Sequence, residues 1–455
     1  MADVESLRKE NPEFLYESFS LTGKEGEITL GFRFSLGDTV FTPTTRIKPD
    51  NLNIINAFDS PAARRIAFCL GMVEAVSYWK AACPPTVRVL CGSLGGADVL
   101  WFKKLWFSGL GEFFYRNGIT TELDSFVNIV CEGEALPGGG DFVSAGLNII
   151  PVGGGKDSAV TTELLSGFRN KNMFFTVNDQ PARTQCVLAA GYDESRIIKT
   201  YRTIDPNLLE LNRRGYLNGH TPFSAIVAFL SYYCAYLIGA ENIALSNESS
   251  ANEANIGGTG VNHQYSKSYE FEKDFRDFSD GYFGLSIRYF SLLRPFNEAQ
   301  IAKKFAACPQ YLKVFRSCNA GSKKNVWCCN CAKCLFVFIM LSPFVERGEL
   351  IEAFGCDMLD KTELEADFDG LCGFTGVKPF ECVGTADEVV LALEITAEKY
   401  RKSGTPMPAL LRRFCEKNTA RADSSLLTGF NEENLIPKKF DGCVKRMFEY
   451  VSTAD

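Results

Sequence analysis

Ile28, Leu30, Phe32, Phe34 and Leu36 alternate with Thr29, Gly31, Arg33 and Ser35, the period of two that a strand with one buried face requires. Ser60 and Pro61 then open a helix. The serine caps the first turn, the proline has no N–H to leave unpaired there, and Ile66, Leu70 and Val73 share a face. Val87–Cys91 reads as another strand and Ala97–Phe107 as another helix. From Leu147 the pattern becomes strand–helix alternation. Apolar runs at Leu147–Val152, Met173–Val177, Arg196–Tyr201 and Asn242–Leu245 are separated by helical stretches through Leu165, over Pro181–Ala190 and over Phe223–Ile238. Strands joined through helices predict βαβ crossovers and a parallel sheet covered on both faces. From about Ala299 onward the chain reads as helix-rich. With a linker at Leu136–Asp141, the pattern predicts an N-terminal α/β domain over 1–145, a second α/β domain over 146–298, and a helical part over 299–455 that holds a cysteine cluster.

The stretch from Gly215 to Ala240 carries no Lys, Arg, Asp or Glu. A bilayer span takes about 20 apolar residues. The apolar part here is shorter, opens on Asn218-Gly219-His220-Thr221-Pro222 and runs into a strand, so it reads as a buried core helix and no membrane partner is expected. The chain has 455 residues, enough for two or three domains, and its 46 % hydrophobic and 23 % charged fractions exclude a disordered or fibrous class. Its 48 Lys and Arg against 55 Asp and Glu leave a net charge of −7, with no basic surplus to neutralise a phosphate backbone, so nucleic acid is not an expected partner. Two histidines, His220 and His263, exclude a polyhistidine metal site. The seventeen cysteines would suggest a disulfide framework in a short secreted chain. Here the opening Met1-Ala2-Asp3-Val4-Glu5 has no signal-peptide core, and the expectation is a cytoplasmic protein with reduced thiols, some of them on metal.

Gly153-Gly154-Gly155-Lys156-Asp157-Ser158 lies between an apolar run and a helical stretch, where backbone N–H groups and a helix N-terminus form an anion site. A Walker A loop would need glycine where Ile150 stands and Ser or Thr where Asp157 stands; a dinucleotide fingerprint would need Gly or Ala at Ser158. The loop instead resembles the PP-loop of ATP pyrophosphatases, the adenine nucleotide alpha hydrolase-like type. That resemblance implies an α/β fold with a doubly wound parallel sheet, a PP-loop nucleotide-binding domain over 146–298, and cleavage of ATP between its α- and β-phosphates to adenylate a carboxylate. Gly153, Gly154, Gly155 and Ser158 would hold the pyrophosphate, Lys156 would offset its charge and Asp157 would hold Mg²⁺. The side chains of Lys156 and Asp157 are expected to face solvent or nucleotide. A capped glycine turn is the plain structural alternative. Ligands of such sheets lie beyond the strand C-termini, which adds Asn178, Ser246, Asn247 and Glu248 as lining candidates.

Cys318 is followed by Trp327-Cys328-Cys329-Asn330-Cys331-Ala332-Lys333-Cys334. Cys328, Cys331 and Cys334, spaced two residues apart, can converge with Cys318 on a tetrahedral Zn²⁺. An iron–sulfur cluster is a second reading and buried apolar thiols a third. PP-loop enzymes of the QueC type carry a similar zinc-binding set.

A longer resemblance covers most of the chain. It runs through Val76–Ala81, Gly109–Phe114, Pro151–Ser158, Gly215–His220, Leu245–Glu248, Val261–Lys267, Ser291–Pro295, Phe315–Asn319, Trp327–Cys334 and Lys378–Gly384. In these runs the sequence resembles the MurL family, ATP-dependent epimerases of UDP-N-acetylmuramoyl-L-alanyl-L-glutamate. It departs from the family pattern at Cys329, where glycine is expected, and at Ala332, where proline is expected. The resemblance implies activation of the terminal L-glutamate as an acyl-adenylate, epimerisation of the adjoining carbon, and release of D-glutamate product, AMP and diphosphate. It implies ATP and Mg²⁺ as cofactors, with structural Zn²⁺, a nucleotide-sugar dipeptide substrate, and a functional link to a ligase that joins L-glutamate to UDP-MurNAc-L-Ala. Such chemistry needs a base on one face and an acid on the other. His220 and His263, with Lys267 nearby, are the candidates, against plain orienting hydrogen bonds. Asn247 and Glu248 would serve nucleotide or Mg²⁺; Arg294, Lys333 and Lys378 would hold phosphates or substrate carboxylates; Glu381 would hold Mg²⁺ or relay protons, or stand as a surface carboxylate. Two rival readings remain open: a QueC-like adenylating enzyme with another carboxylate substrate, and a non-catalytic, nucleotide-responsive zinc protein.

Overall fold

The alternation at 28–36 becomes a strand, Glu27–Leu36, that buries Ile28, Leu30, Phe32 and Phe34. The Ser60 hydroxyl accepts from the N–H of Ala63 and caps the helix Pro61–Trp79. The computed structural model describes residues 4–24, 26–48, 52–252, 262–376, 378–419 and 421–453. Its strands are β1 Glu13–Lys24, β2 Glu27–Leu36, β3 Thr39–Phe41, β4 Thr44–Lys48, β5 Thr86–Val89, β6 Asn128–Cys131, β7 Leu147–Pro151, β8 Asn172–Val177, β9 Ile197–Arg202, β10 Ala240–Leu245 and β11 Arg288–Ser291.

All of them join one sheet, in the order β11-β10-β7-β8-β9-β4-β2-β1-β5-β6, with β3 on β2. The five strands from β7 onward are parallel neighbours. Taken in order of appearance they run 3-2-1-4-5, the doubly wound arrangement, and the order reverses between β7 and β10. The rest of the sheet corrects the expectation of a purely parallel one. β1, β2 and β4 pair antiparallel, and β4 continues antiparallel onto β9 through Thr45↔Arg202 and Ile47↔Thr200. Strands before and after residue 146 therefore share one sheet. A connection as short as Lys48 to β9 had no signal in the apolar pattern, because β4 is five residues long and exposes every second one.

Successive residues of the central strands feed opposite cores. Ile149, Phe175 and Ile243 belong to the core made with the N-terminal region, whereas Ile150, Phe174 and Ala244 belong to the core made with the C-terminal helices. On the first face the helix Phe223–Ile238 packs on Pro61–Trp79; on the second the helix Lys156–Leu164 packs on Glu298–Ala306, which also meets Ala332–Leu341. Phe223–Ile238 is the uncharged stretch of the sequence, and among the described residues no helix is long and apolar enough to cross a membrane. A buried ladder locks the register of the three central strands. Asn242 donates to Asn148 (3.1 Å), Asn148 to Asn172 (3.1 Å), and Asn172 to the carbonyl of Leu165 (2.8 Å). These amides lie near the strand N-termini, so the opposite end is left for ligands.

Candidate active site

A cavity of about 300 Å³ opens at the C-terminal ends of β7, β8 and β10, where the strand order reverses. Open α/β sheets bind ligands at this position. Pro151, Phe175, Val177 and Leu245 come from the strand ends, Phe223, Ser224 and Val227 from the covering helix, and Ser317, Asn319, Lys333 and Cys382 from the C-terminal part. Gly153, Gly155, Asp157 and Ser158 supply the loop.

The glycines are not interchangeable. Gly154 has φ +86°, and a Cβ there would also crowd the backbone N of Arg183 at 3.3 Å. Its carbonyl accepts from the N–H of Arg316 (2.7 Å), which ties the loop to the segment that leads into Cys318. Gly153 has open space where its Cβ would be, so that its backbone faces the cavity. Asp157 borders the cavity as expected, but Lys156 does not. Its side chain is 3 % exposed and pairs with Glu298 and Asp157, and their negative charge holds the ammonium well above the ordinary lysine range against the opposing effect of burial. The expectation that Lys156 faces solvent or nucleotide is thus corrected: it neutralises a buried carboxylate. Oxygens of Asp157, Glu248 and Glu298 lie within 4.8 Å of one another. An all-oxygen set of this kind suits a hard cation such as Mg²⁺. Burial pushes Glu298 up, and Lys156 only partly offsets that.

Two other expectations change. Asn178 has φ +59°, and its side chain accepts from the N–H of Arg202 (2.9 Å), so it completes β9 and does not line the cavity. Arg294 is fully buried. Its guanidinium pairs with Glu272 (2.9 Å) and donates to the carbonyls of Glu248 and Lys267 (2.7 Å each). It holds the backbone of two candidate residues and cannot itself reach a substrate. Ser246, Asn247, Lys267 and Lys333 do line the cavity. The hydroxyl of Ser246 is buried there with no hydrogen-bond partner among the described residues, which marks a place for a ligand's polar atom. Lys378 and Glu381 are half-buried and stand outside the lining; Glu381 accepts from Asn319 (3.1 Å), away from the other carboxylates.

A second cluster flanks the cavity. His263 hydrogen-bonds Glu112 through Nδ1, His220 Nδ1 lies 3.7 Å from the same carboxylate, and the two rings are 4.2 Å apart. Arg116 closes Glu112 from the other side (2.5 Å). His263 and Lys267 both neighbour the Cys382 thiol. Burial pushes the Cys382 thiol up, but Lys267, His263 and Lys333 outweigh it and bring it down to about 5. Burial would lower His263, yet Cys382 and Glu112 raise it to about 9. Burial and the charge on His263 lower His220 to about 4. The pair is therefore electrostatically split, one ring charged and one neutral. Val261, which begins this run in the sequence, lies outside the described residues.

The segment that carries Cys382 is fastened on several sides. Phe380 packs on Tyr115 and under Arg116, Gln264 donates to the carbonyl of Val383 (3.2 Å), and Lys333 donates to the carbonyl of Cys382. At Gly384 any Cβ would lie 2.4 Å from a Glu388 oxygen, and Glu388 in turn accepts from the N–H of Glu298 (2.8 Å). Glu112 and Cys382 fall inside family-like runs of the sequence without a motif of their own. Glu298, the first residue of a helix with an Asn297–Gln300 capping box, reads locally as a solvent-facing charge. Only the tertiary packing turns it inward.

Beside the cavity the sulfurs of Cys318, Cys328, Cys331 and Cys334 lie within 4.8 Å of one another. Cys331 and Cys334 are 3.5 Å apart, and Cys328 and Cys334 3.7 Å. Backbone N–H groups of Gly321 (3.1 Å) and Cys328 (3.4 Å) point at Cys318, and that of Asn330 (3.4 Å) at Cys328. Such donors suit thiolates. Cys329 turns away to the carbonyl of Phe354 (3.2 Å) and has φ +49°, a conformation that favours glycine. Ala332 starts the helix Ala332–Leu341, the position where proline is at home.

The family model of the MurL N-terminal domain matches residues 5–292, and that of the MurL C-terminal domain matches residues 314–426. The chain belongs to the MurL family. Among its relatives, the UDP-N-acetyl-alpha-D-muramoyl-L-alanyl-L-glutamate epimerase of Xanthomonas oryzae pv. oryzae is 33 % identical over 396 residues, 85 % of this chain and 86 % of that protein. The epimerase of the same name from Salinispora tropica is 33 % identical over 399 residues, covering 86 % and 84 %. That from Micromonospora sp. is 34 % identical over 397 residues, covering 86 % and 85 %. In this MurL-family chain the N-terminal match spans the whole sheet, and the C-terminal match spans the cysteine cluster and Cys382. Both matches contribute to the lining of the cavity.

Proposed function

We propose that this chain is an ATP-dependent epimerase of UDP-N-acetylmuramoyl-L-alanyl-L-glutamate that inverts the terminal L-glutamate through an acyl-adenylate and releases AMP and diphosphate. The observation that carries the reading is that one cavity is bordered at once by a glycine loop with Asp157, backed by Glu248 and Glu298, and by Lys267 and Cys382, groups suited to moving protons. A free carboxylate resists loss of the neighbouring proton, because two negative charges would then sit side by side. Adenylation removes that charge, and a developing enolate oxygen then becomes a target for fixed cations.

On this reading the backbone at Gly153 and Gly155, with Ser158, cradles the leaving diphosphate, and Ser246 and Asn247 orient the nucleotide. Val152, Val177, Phe223 and Val227 offer apolar wall for the adenine. Asp157 and Glu248 would hold Mg²⁺, which when bound offsets phosphate charge; Lys156 keeps Glu298 from overloading that set with negative charge. Arg183, Lys267 and Lys333 give the cavity the cations an anionic substrate needs. The cysteine cluster would hold a structural Zn²⁺, since its four sulfurs and their N–H donors match a closed thiolate site. Cys318 sits between the lining residues Ser317 and Asn319, and Lys333 lies between Cys331 and Cys334, so such an ion would staple two edges of the cavity.

The all-thiol state of the seventeen cysteines agrees with a cytoplasmic enzyme. A ligase reaction that joins L-glutamate to the UDP-MurNAc-L-Ala carboxylate would supply the substrate. The test is whether the purified protein makes AMP from ATP only when the L-Ala-L-Glu precursor is present. AMP formation that ignores the dipeptide, or is triggered by another carboxylate, would overturn the assignment.

A further inference from the structure

Cys382 borders the cavity, while neither His220 nor His263 is among the residues that line it. His263 stands next to Cys382 and hydrogen-bonds Glu112, and the His220 ring lies 4.2 Å from that of His263. Of Cys382 and the two histidines, only Cys382 presents itself to a substrate carbon in this cavity. Lys267 also lines the cavity and also neighbours Cys382, but burial is outweighed by Cys382, Glu248 and Asp157, which hold its proton firmly. It is a donor and a cation, not a base. Lys333, bonded to the Cys382 carbonyl, adds positive charge; Glu381 beside it and Glu112 behind His263 add negative charge.

We propose that the sulfur of Cys382 is the base that takes the α-proton of the activated glutamyl residue, with His263 and Glu112 as the route by which that proton leaves. The inference rests on the epimerase reading above. In the step, the thiolate forms an S–H bond as the Cα–H bond breaks, and the electron pair of that bond moves onto the acyl oxygen, which faces Lys267. A solvent-derived proton enters on the opposite face and gives the D configuration. Once the thiolate is neutral, His263 loses the charge that held its extra proton. That proton passes toward Glu112 and water, the thiol proton refills the imidazole, and the starting pair is restored. Atoms and charge balance with one proton lost to solvent and one gained from it. The low position of the Cys382 thiol, near 5, agrees with a sulfur that rests as thiolate.

The test uses Cys382→Ser and Cys382→Ala in the full chain, with substrate, ATP and Mg²⁺ in D₂O. Both variants are expected to lower α-deuterium incorporation by at least about 100-fold while AMP formation stays within about threefold of the unaltered protein. Cys382→Ala that incorporates deuterium within about threefold of normal overturns the proposal, and so do variants that keep their fold by circular dichroism but lose both reactions equally. If the variants do not fold, the unaltered protein carries the test. Iodoacetamide at pH 6.5 should alkylate Cys382 ahead of the thiols outside the Cys318–Cys334 cluster, with substrate protecting it and exchange lost in proportion. Cys382 left intact while other cysteines react overturns the proposal. Failure of the epimerase reading looks different: unaltered protein then incorporates no deuterium at all.

Discussion

Two charged clusters reach one cavity, the first through Asp157 and the second through Cys382, and they are built from different elements. Asp157, Glu248 and Glu298 come from a glycine loop, a strand end and a helix start on the doubly wound half of the sheet. They are hard oxygen donors, two of them paired directly with the buried Lys156. Glu112, His263, His220 and Cys382 come from helix, loop and C-terminal segments that meet on the other flank. They mix carboxylate, imidazole and thiol with the cation of Lys267. A set of like carboxylates holds a cation well but moves protons poorly, since every member resists protonation alike. The mixed set does the reverse: its groups are pushed in opposite directions, Cys382 down and His263 up. On the epimerase reading proposed above, the difference predicts that activation and proton transfer can be separated by substitution.

Substitution should separate them. Asp157→Asn is expected to lower AMP formation by about 100- to 1000-fold with little change in thermal stability, because Lys156 keeps Glu298 as its partner. Lys156→Ala is different: it strands the buried Glu298 carboxylate, which costs about 3–5 kcal/mol, so its melting temperature should fall along with its turnover. Near-normal turnover in both would break the comparison on the nucleotide side. On the other flank, His263→Asn should slow α-deuterium exchange by about 100-fold and AMP formation far less. His220, neutral and 3.7 Å from Glu112, should matter less than His263. Histidine variants that lose both reactions together would make these residues substrate-positioning groups.

The pH profile sharpens the same contrast. A charged Cys382–His263 pair exists from about pH 5 to about pH 9, so exchange should rise and fall through those values, which belong to the pair as a unit. Stability follows by linkage. His263, raised above its ordinary 6.5, contributes fully below that value and loses the contribution as pH rises through about 9. Cys382, lowered from 9.0, contributes fully above it and loses the contribution as pH falls through about 5. A Cys382→Ser variant should lose the acid limb. Elemental analysis should find about one zinc per chain, absent after Cys331→Ala with Cys334→Ala, and that variant should bind substrate more weakly because Lys333 is no longer stapled. The smallest kinetic effect belongs to Asn148→Ala, which removes two side-chain hydrogen bonds remote from the cavity. It should cost about 2–4 kcal/mol of stability, read by denaturant unfolding, and leave turnover per folded molecule unchanged.

Local patterns were enough to read the central strands and the glycine loop. The apolar runs at β7, β8 and β10 and the helix after the loop follow from burial on both faces, and the long uncharged helix follows from its lack of any polar face. The antiparallel extension through β4 was not legible, because pairing between Ile47 and Thr200 joins residues whose neighbours carry no shared pattern. Within the site, Asp157, Ser158, Ser246, Asn247, Lys267 and Lys333 were legible as lining residues from motif and strand-end position. Lys156 and Arg294 were misread for one reason. A cation in a motif looks like a ligand contact, yet whether it faces ligand or a buried carboxylate depends on Glu298 and Glu272, which nothing nearby in the sequence announces.

The central claim is that adenylation exists to loosen one C–H bond. The direct measurement is NMR and chiral analysis of the product formed in D₂O with UDP-MurNAc-L-Ala-L-Glu, with and without ATP and Mg²⁺. The expected result is deuterium at the glutamate α-carbon and the D configuration only when ATP is present, with AMP formed in step. AMP formation with an α-carbon that keeps its hydrogen and its L configuration would contradict the account.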